Sequence, residues 1–408
     1  NGELDIIPIA GKDLTITIDS ELQDYGEQLM NGKKGGIVAI DPSNGEILSL
    51  VSAPSYNPNL LIGRNRSENY MDLYRDSIYK PLIDKSLLNM HAPGSPFKIL
   101  VGLSALQEKA ITEKTSIFCN NYYQYGKEKR KMQCHCGGGY RNLSNALSLS
   151  CNSYFANAYR KTIDTKSPTK EAFDNWSNQM KSFGLGEYLN NDLSVGKKGI
   201  IPDFDFYNKW YPDFKWGATT TLSNSIGQGE VLVTPIQLAN MTAAIANKGY
   251  YYTPHIIKKI EGSEINSKFR TKNYTLIDST HFEPIIEGLS KVYKSGTAKF
   301  LQVPDIEICG KTGTAENFTK IDGKKTQLTD HSIFVAFAPK DNPTIAISVL
   351  VENGYYGSRW AGRIASLMIE KYIKGEVTLK NMEQLVMNKS LDEEYQKPFL
   401  DKPFKINQ

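Results

Sequence analysis

No stretch of this sequence stays apolar for the roughly 18 residues that a membrane-spanning helix needs. The chain begins at Asn1-Gly2-Glu3, with neither an initiator methionine nor a secretory leader. The expectation is a cytosolic protein or a fragment whose anchor lies upstream. An excess of one charge is also missing: 48 Lys and Arg against 44 Asp and Glu leave a net charge of +4. No stripe of basic residues interleaves with aromatics, which excludes a nucleic-acid groove. Histidine is scarce, at five residues, and no G-x-S-x-G elbow is present, so the Ser-His-Asp machinery is set aside. Internal repeats are absent. Cysteine is sparse but uneven. Of five, Cys119, Cys134, Cys136 and Cys151 crowd into one window and Cys309 stands apart. The odd count rules out complete internal pairing, and Cys134-x-Cys136 is too tight for an easy mutual disulfide, which moves weight toward a metal.

What is present is a globular composition: 408 residues, 40% hydrophobic and 23% charged, enough for a sizeable core. Residues 13–19 alternate like a short strand, and Ser20-Glu21-Leu22-Gln23 opens a helix. The runs 36–40 and 46–51 flank Asp41-Pro42-Ser43-Asn44-Gly45 and read as a hairpin. The middle of the chain is helix and loop, with helices after Ser95, near 145–161 and across 234–247, and a long ordered loop over 192–215. Strands return at 305–315, 331–338 and 344–352, followed by an amphipathic helix over 362–374. Two early and three late strands predict an α+β fold. Its central antiparallel sheet of about five strands is built from both chain ends and flanked by helices. Residues 1–375 form one discontinuous domain, and 376–408 a peripheral helix and tail.

The chemistry begins at Gly94-Ser95-Pro96-Phe97-Lys98. Ser95 stands at an N-cap position, Pro96 at the first helical position, and the apolar run beyond predicts a buried helix. Residues three apart share a helix face, so the Lys98 amine reaches the Ser95 hydroxyl and, if neutral, accepts its proton. Alone, Ser-x-x-Lys is a short pattern that a capped core helix also satisfies. Two further motifs follow in order: Ser150-Cys151-Asn152, then Lys311-Thr312-Gly313-Thr314 on a late strand. Burial and a neighbouring Lys311 would both lower the Lys98 pKa. Lys311 offers a positive charge to a substrate carboxylate, with Thr312 and Thr314 adding hydrogen bonds. Gly313 keeps the strand open for an extended peptide.

The triplet, its order and its spacing resemble the transpeptidase domain of class B, monofunctional penicillin-binding proteins of the elongation type, penicillin-binding protein 2-like. The likeness covers roughly residues 10–374. It includes Gly227-Gln228-Gly229-Glu230, Thr234-Pro235-Ile236-Gln237, Asp330-His331 and Phe337-Ala338-Pro339. It implies the penicillin-binding/serine β-lactamase-like fold and a peptidoglycan D,D-transpeptidase. Ser95 would be the nucleophile, with Lys98 and Ser150 moving protons. Backbone N–H groups of Ser95 and Thr314 would form an oxyanion hole, and Asn152, Lys311, Thr312, Gly313 and Thr314 would bind substrate. The substrate would be a stem peptide ending in D-Ala-D-Ala, and β-lactams would block Ser95. A membrane anchor and pedestal upstream, a periplasmic location, a SEDS-family glycosyltransferase and other elongation-complex partners are implied in the same way. A D,D-carboxypeptidase, a serine β-lactamase and a non-catalytic β-lactam sensor use the same triplet and remain alternatives. Residues 317–329 read as an insertion and Ser332 as a departure from a bulky residue, both bordering the expected cleft.

Four thiolates in one window suit a closed tetrahedral zinc site of Cys119, Cys134, Cys136 and Cys151, with His135 an alternative ligand. Some elongation-type relatives are similar in carrying zinc in this loop. Buried free thiols, or a disulfide from Cys119 to one of the close pair, stay open. Cys309 reads as a buried small apolar residue.

Overall fold

Gly35–Ile40 (β1) and Ile47–Ala53 (β2) form the expected hairpin. At its turn Gly45 takes φ +84° and Asn44 Oδ1 accepts the Glu46 N–H. The late strands are Cys309–Ile321 (β3), Lys324–Ala338 (β4) and Ile345–Val351 (β5). β5 pairs antiparallel with β1, setting Val349 opposite Ile37, so the two chain ends close one antiparallel sheet in the order β3-β4-β5-β1-β2. This leaves β3, with Lys311-Thr312-Gly313-Thr314, at an edge. The computed structural model describes residues 10–164, 169–212, 216–321 and 323–397. The expected start of the domain at 1–9 and the tail at 398–408 lie outside them.

Both faces of the sheet are covered. Ser20–Leu29 (α1), capped by the Asp19 carboxylate on the Leu22 N–H, packs on one face beside a late helix. On the other face lie Lys98–Gln107 (α2), Leu143–Ser148 (α3), Asn152–Asp164 (α4), Pro235–Ala246 (α5) and Phe282–Lys294 (α6). The late helix is Ala361–Lys374 (α7), with Ile364, Leu367 and Met368 buried beside Leu22 and Val51. The stretch from Lys98 to Leu106 is buried throughout, as its all-round apolar character predicts.

Several expectations change. Ser95 does not cap a helix: Ser95–Phe97 is a 3-10 turn with Gly94 before it, and α2 starts at Lys98, which leaves the Ser95 hydroxyl available. The helix expected near 145–161 is two helices, broken where Ser150 takes φ +55°. Leu14–Ile16, within the expected short strand at 13–19, pairs with Ile257–Ile260 in a separate two-stranded sheet. Within the expected 192–215 loop, Phe204–Trp210 is helical because Asp203 caps it at the Phe206 N–H; 213–215 lie outside the described residues. Residues 317–329 extend β3 and β4 into a long hairpin, pairing Asn317 with Leu328 and Thr319 with Thr326. Ser332 is buried behind the cleft-lining segment 356–358. Its hydroxyl donates to Tyr356 O at 2.9 Å and accepts the Ala361 N–H at 3.1 Å, work a bulky apolar side chain could not do. Beyond residue 376, Lys380–Met387 and Asp392–Gln396 are short helices whose Val386 and Tyr395 enter the core.

Candidate active site

Two glycines bring Ser95 to the edge strand. Gly94 has φ +61°, and a Cβ there would meet Thr314 O at 2.6 Å; Gly227 has φ +67°, and its Cβ would meet Gly94 O at 2.2 Å. The Gly94 N–H donates to Gly227 O at 2.8 Å. The turn before Ser95 is therefore wedged between β3 and the Gly227 loop, and only residues without a side chain fit there. Gly313 serves the same approach. Its Cβ would meet Pro96 Cδ at 2.7 Å, so its role is to let the Ser95 turn pack against the strand, where openness for a peptide was expected.

The hydrogen-bond order runs from lysine to serine to serine. Lys98 Nζ donates to Ser150 Oγ at 3.1 Å, to Ser150 O at 2.8 Å and to Asn152 Oδ1 at 2.5 Å. Ser150 Oγ donates to Ser95 Oγ at 2.9 Å. Ser150, not Lys98, is thus the bridging group, because the ammonium is drawn toward the Ser150 carbonyl and the Asn152 amide. The positive φ at Ser150 gives its carbonyl and hydroxyl this shared aim. Lys98 is fully buried, and desolvation lowers its pKa to about 8, against the opposing pull of the nearby cysteines. Asn152 does not cap α4. Its side chain accepts from Lys98 and donates to Gln133 O at 2.7 Å.

Lys311 is not a point charge in the cleft. It is fully buried, its Nζ donates to Thr312 O at 3.3 Å, and burial followed by the Lys98 charge holds its pKa well below the usual lysine value. The hydroxyls beside it do face the opening. Thr312 Oγ1 bonds Thr297 Oγ1 at 2.9 Å, and Thr312 and Thr314 line a cleft of about 520 Å³ together with Ser95, Ser150 and Asn152. Sequence reasoning missed Thr297, Gln228, Glu316 and the segment 356–358, which complete this wall. Gln228 was visible within its Gly-rich motif, but its function was not; its Nε2 donates to Thr314 O at 3.2 Å.

The four clustered cysteines converge. All are buried, none is in a disulfide, and their sulfurs lie within 4.8 Å of one another. Neighbouring sulfurs are 3.5 to 3.7 Å apart. Zinc–thiolate bonds of about 2.3 Å in a tetrahedron require about 3.8 Å between sulfurs, so the donor set fits zinc. Hydrogen bonding with Cys151 holds the Cys134 thiol well below the usual range, and burial raises Cys136. His135, the alternative ligand, is exposed between two buried cysteines, lines the catalytic cleft and is not part of the cluster. Cys309 is buried apart from the cluster, with its sulfur 3.7 Å from Ile286 O.

The family model for the penicillin binding protein transpeptidase domain matches residues 35–370. The peptidoglycan D,D-transpeptidase MrdA of Acinetobacter baumannii is 33% identical over 363 residues, covering 86% of this chain and 52% of that relative. The chain thus spans about half the length of that curated relative. Among solved structures, Pseudomonas aeruginosa PBP2 in complex with WCK 5153 superposes with a TM-score of 0.79 at 31% identity, covering 92% of this chain and 80% of that one. Helicobacter pylori PBP2 in complex with MreC superposes with a TM-score of 0.74 at 29% identity, covering 89% of this chain and 64% of that one.

Proposed function

This chain belongs to the penicillin-binding protein transpeptidase family, and from that membership we propose that it is the catalytic part of a peptidoglycan D,D-transpeptidase. The observation that carries the reading is the buried line from Lys98 through Ser150 to Ser95, opening on a cleft walled by Thr312 and Thr314. Ser95 Oγ attacks the penultimate D-Ala carbonyl of a stem peptide as its proton passes to Ser150 and on to neutral Lys98. Negative charge on the carbonyl oxygen is held by the Ser95 and Thr314 N–H groups. Ser150 protonates the departing D-Ala, whose carboxylate the Thr312 and Thr314 hydroxyls hold. Lys311 supports this strand from inside. An amine of a neighbouring stem then attacks the acyl-enzyme, gives up its proton along the same line, and releases the cross-link. β-Lactams, which mimic the dipeptide, leave Ser95 acylated.

Cys119, Cys134, Cys136 and Cys151 would hold a structural zinc ion, which when bound cross-links the loop that carries Ser150 and Asn152. We place the enzyme on the periplasmic face of the cytoplasmic membrane, where its substrate lies, with a SEDS-family glycosyltransferase and elongation-complex proteins as partners. An MreC complex of the Helicobacter relative supports the second class. Among the described residues, no helix is long and apolar enough to cross a membrane.

Fluorescent penicillin tests the site. A long-lived adduct that Ser95→Ala abolishes is expected; rapid release would indicate a β-lactamase, and no adduct would end the reading. Cross-linked product from stem peptides separates transpeptidase from carboxypeptidase, which only trims, and from a sensor, which yields neither.

A further inference from the structure

β3 does not stop at the reacting centre. Thr312, Thr314 and Glu316 line the same cleft at alternate positions of one strand. Beyond Glu316 the cleft opens into a groove of about 940 Å³ between the hairpin tip at Phe318 and Lys325 and the short hairpin of Tyr122–Tyr125 with Arg130–Gln133. Glu316 lines both compartments. Its carboxylate has no hydrogen-bond or ion-pair partner among the described residues. Alternation along β3 puts Glu316 on the face of Thr312 and Thr314, and the extra residue lies on β4: Ala315 pairs with His331 but Asn317 pairs with Leu328, so Thr329 and Asp330 together oppose Glu316. Such a bulge re-aims side chains, and Asp330 joins Glu316 in the cleft, its buried Oδ1 without a partner.

We propose that Glu316, supported by Asp330, is a specificity-determining residue that reads a cationic amino side chain on the donor stem peptide. The inference rests on the transpeptidase reading. A donor added antiparallel to β3, with its C-terminal carboxylate at Thr312 and Thr314, runs upstream past Thr314 and reaches Glu316 about 7 Å further along the strand. That is where the residue before D-Ala-D-Ala projects its side chain. The resolving nucleophile is an amine carried by a neighbouring stem, and stems are alike, so the donor bears the same amino group. At neutral pH it is an ammonium, and Glu316 is the unpaired carboxylate in its path. Glu316 neither accepts the Ser95 proton nor touches the reacting carbonyl; it selects which donor is held.

Two penicillins identical but for a free or an acetylated amine at the end of the acyl side chain test this, since that side chain occupies the upstream donor direction. Second-order acylation rates are measured on the purified chain at low ionic strength. The ammonium compound should react about 3- to 10-fold faster with the native protein, a preference that salt diminishes. Glu316→Gln should bring the ratio of the two rates close to one, and Glu316→Lys should invert it. A merely structural role for Glu316 would slow both compounds alike and leave their ratio intact. Equal rates for the native protein, or a preference that survives Glu316→Gln, overturn the inference alone. Failure of both compounds to label Ser95 overturns the transpeptidase reading and the inference with it.

Discussion

Cys134 Sγ accepts the backbone N–H of Asn152 at 3.1 Å. The cysteine cluster and the catalytic line thereby share a residue, because the Asn152 side chain accepts from Lys98. Cys151 sits between Ser150 and Asn152, so its sulfur and the two polar side chains leave the same short break between helices in different directions.

Purified without chelator, the protein should contain one zinc ion per chain by elemental analysis. Removing it should lower the Tm by several degrees, since a ligand at a thousandfold excess over its Kd contributes about 4 kcal/mol. Cys119→Ser should do the same and slow acylation, although Cys119 is not part of the catalytic line. Absence of metal, with thiol titration showing disulfides, would remove the zinc proposal.

Lys98 sets the pH profile. Its pKa, lowered to about 8 by burial, means that the neutral base is the minor form at pH 7 and the major form above 8. The acylation rate with a β-lactam should rise about tenfold per pH unit below 8 and level off above it. A profile flat from pH 6 to 9 would show that Lys98 is not the base.

Ser150→Ala removes the bridge between Lys98 and Ser95. We expect acylation to fall by about 10²- to 10⁴-fold with little change in Tm. Ser95→Ala should abolish the adduct, and the two substitutions combined should be no worse than Ser95→Ala alone.

Gly227→Ala should be far more damaging than its size suggests. It forces an alanine to φ +67° with its Cβ 2.2 Å from Gly94 O. The expected cost is about 1–3 kcal/mol of stability and a larger loss of acylation, because the turn that presents Ser95 must shift. Gly196→Ala, where a Cβ meets nothing within 4 Å, is the control.

Most of this fold was legible because its signals are local. Asn44-Gly45 marks a hairpin, Thr234-Pro235-Ile236-Gln237 marks a helix start, and β1 and β5 are too apolar to be anything but interior strands. The three motifs named Ser95, Lys98, Ser150 and Asn152, which the structure brings together. What could not be read depends on groups far apart in the chain. Ser150 as the bridge requires the αL break after α3. The burial of Lys311 requires α6 to cover β3, and the constraint on Gly313 comes from Pro96. The strand pairing across 317–329 was not visible because its polar residues suit solvent on both faces, so no apolar alternation revealed it.

The closure of β5 onto β1 sets the order in which this domain is completed during synthesis. The ribosome delivers Ser95 and Ser150 long before Lys311, and β3 has no partner until β4 has emerged. The strand that faces the nucleophile is therefore fixed only when nearly the whole domain is made. A nascent or truncated chain ending before Cys309 carries Ser95 without the wall opposite it. It should escape β-lactams until β3 and β4 have paired.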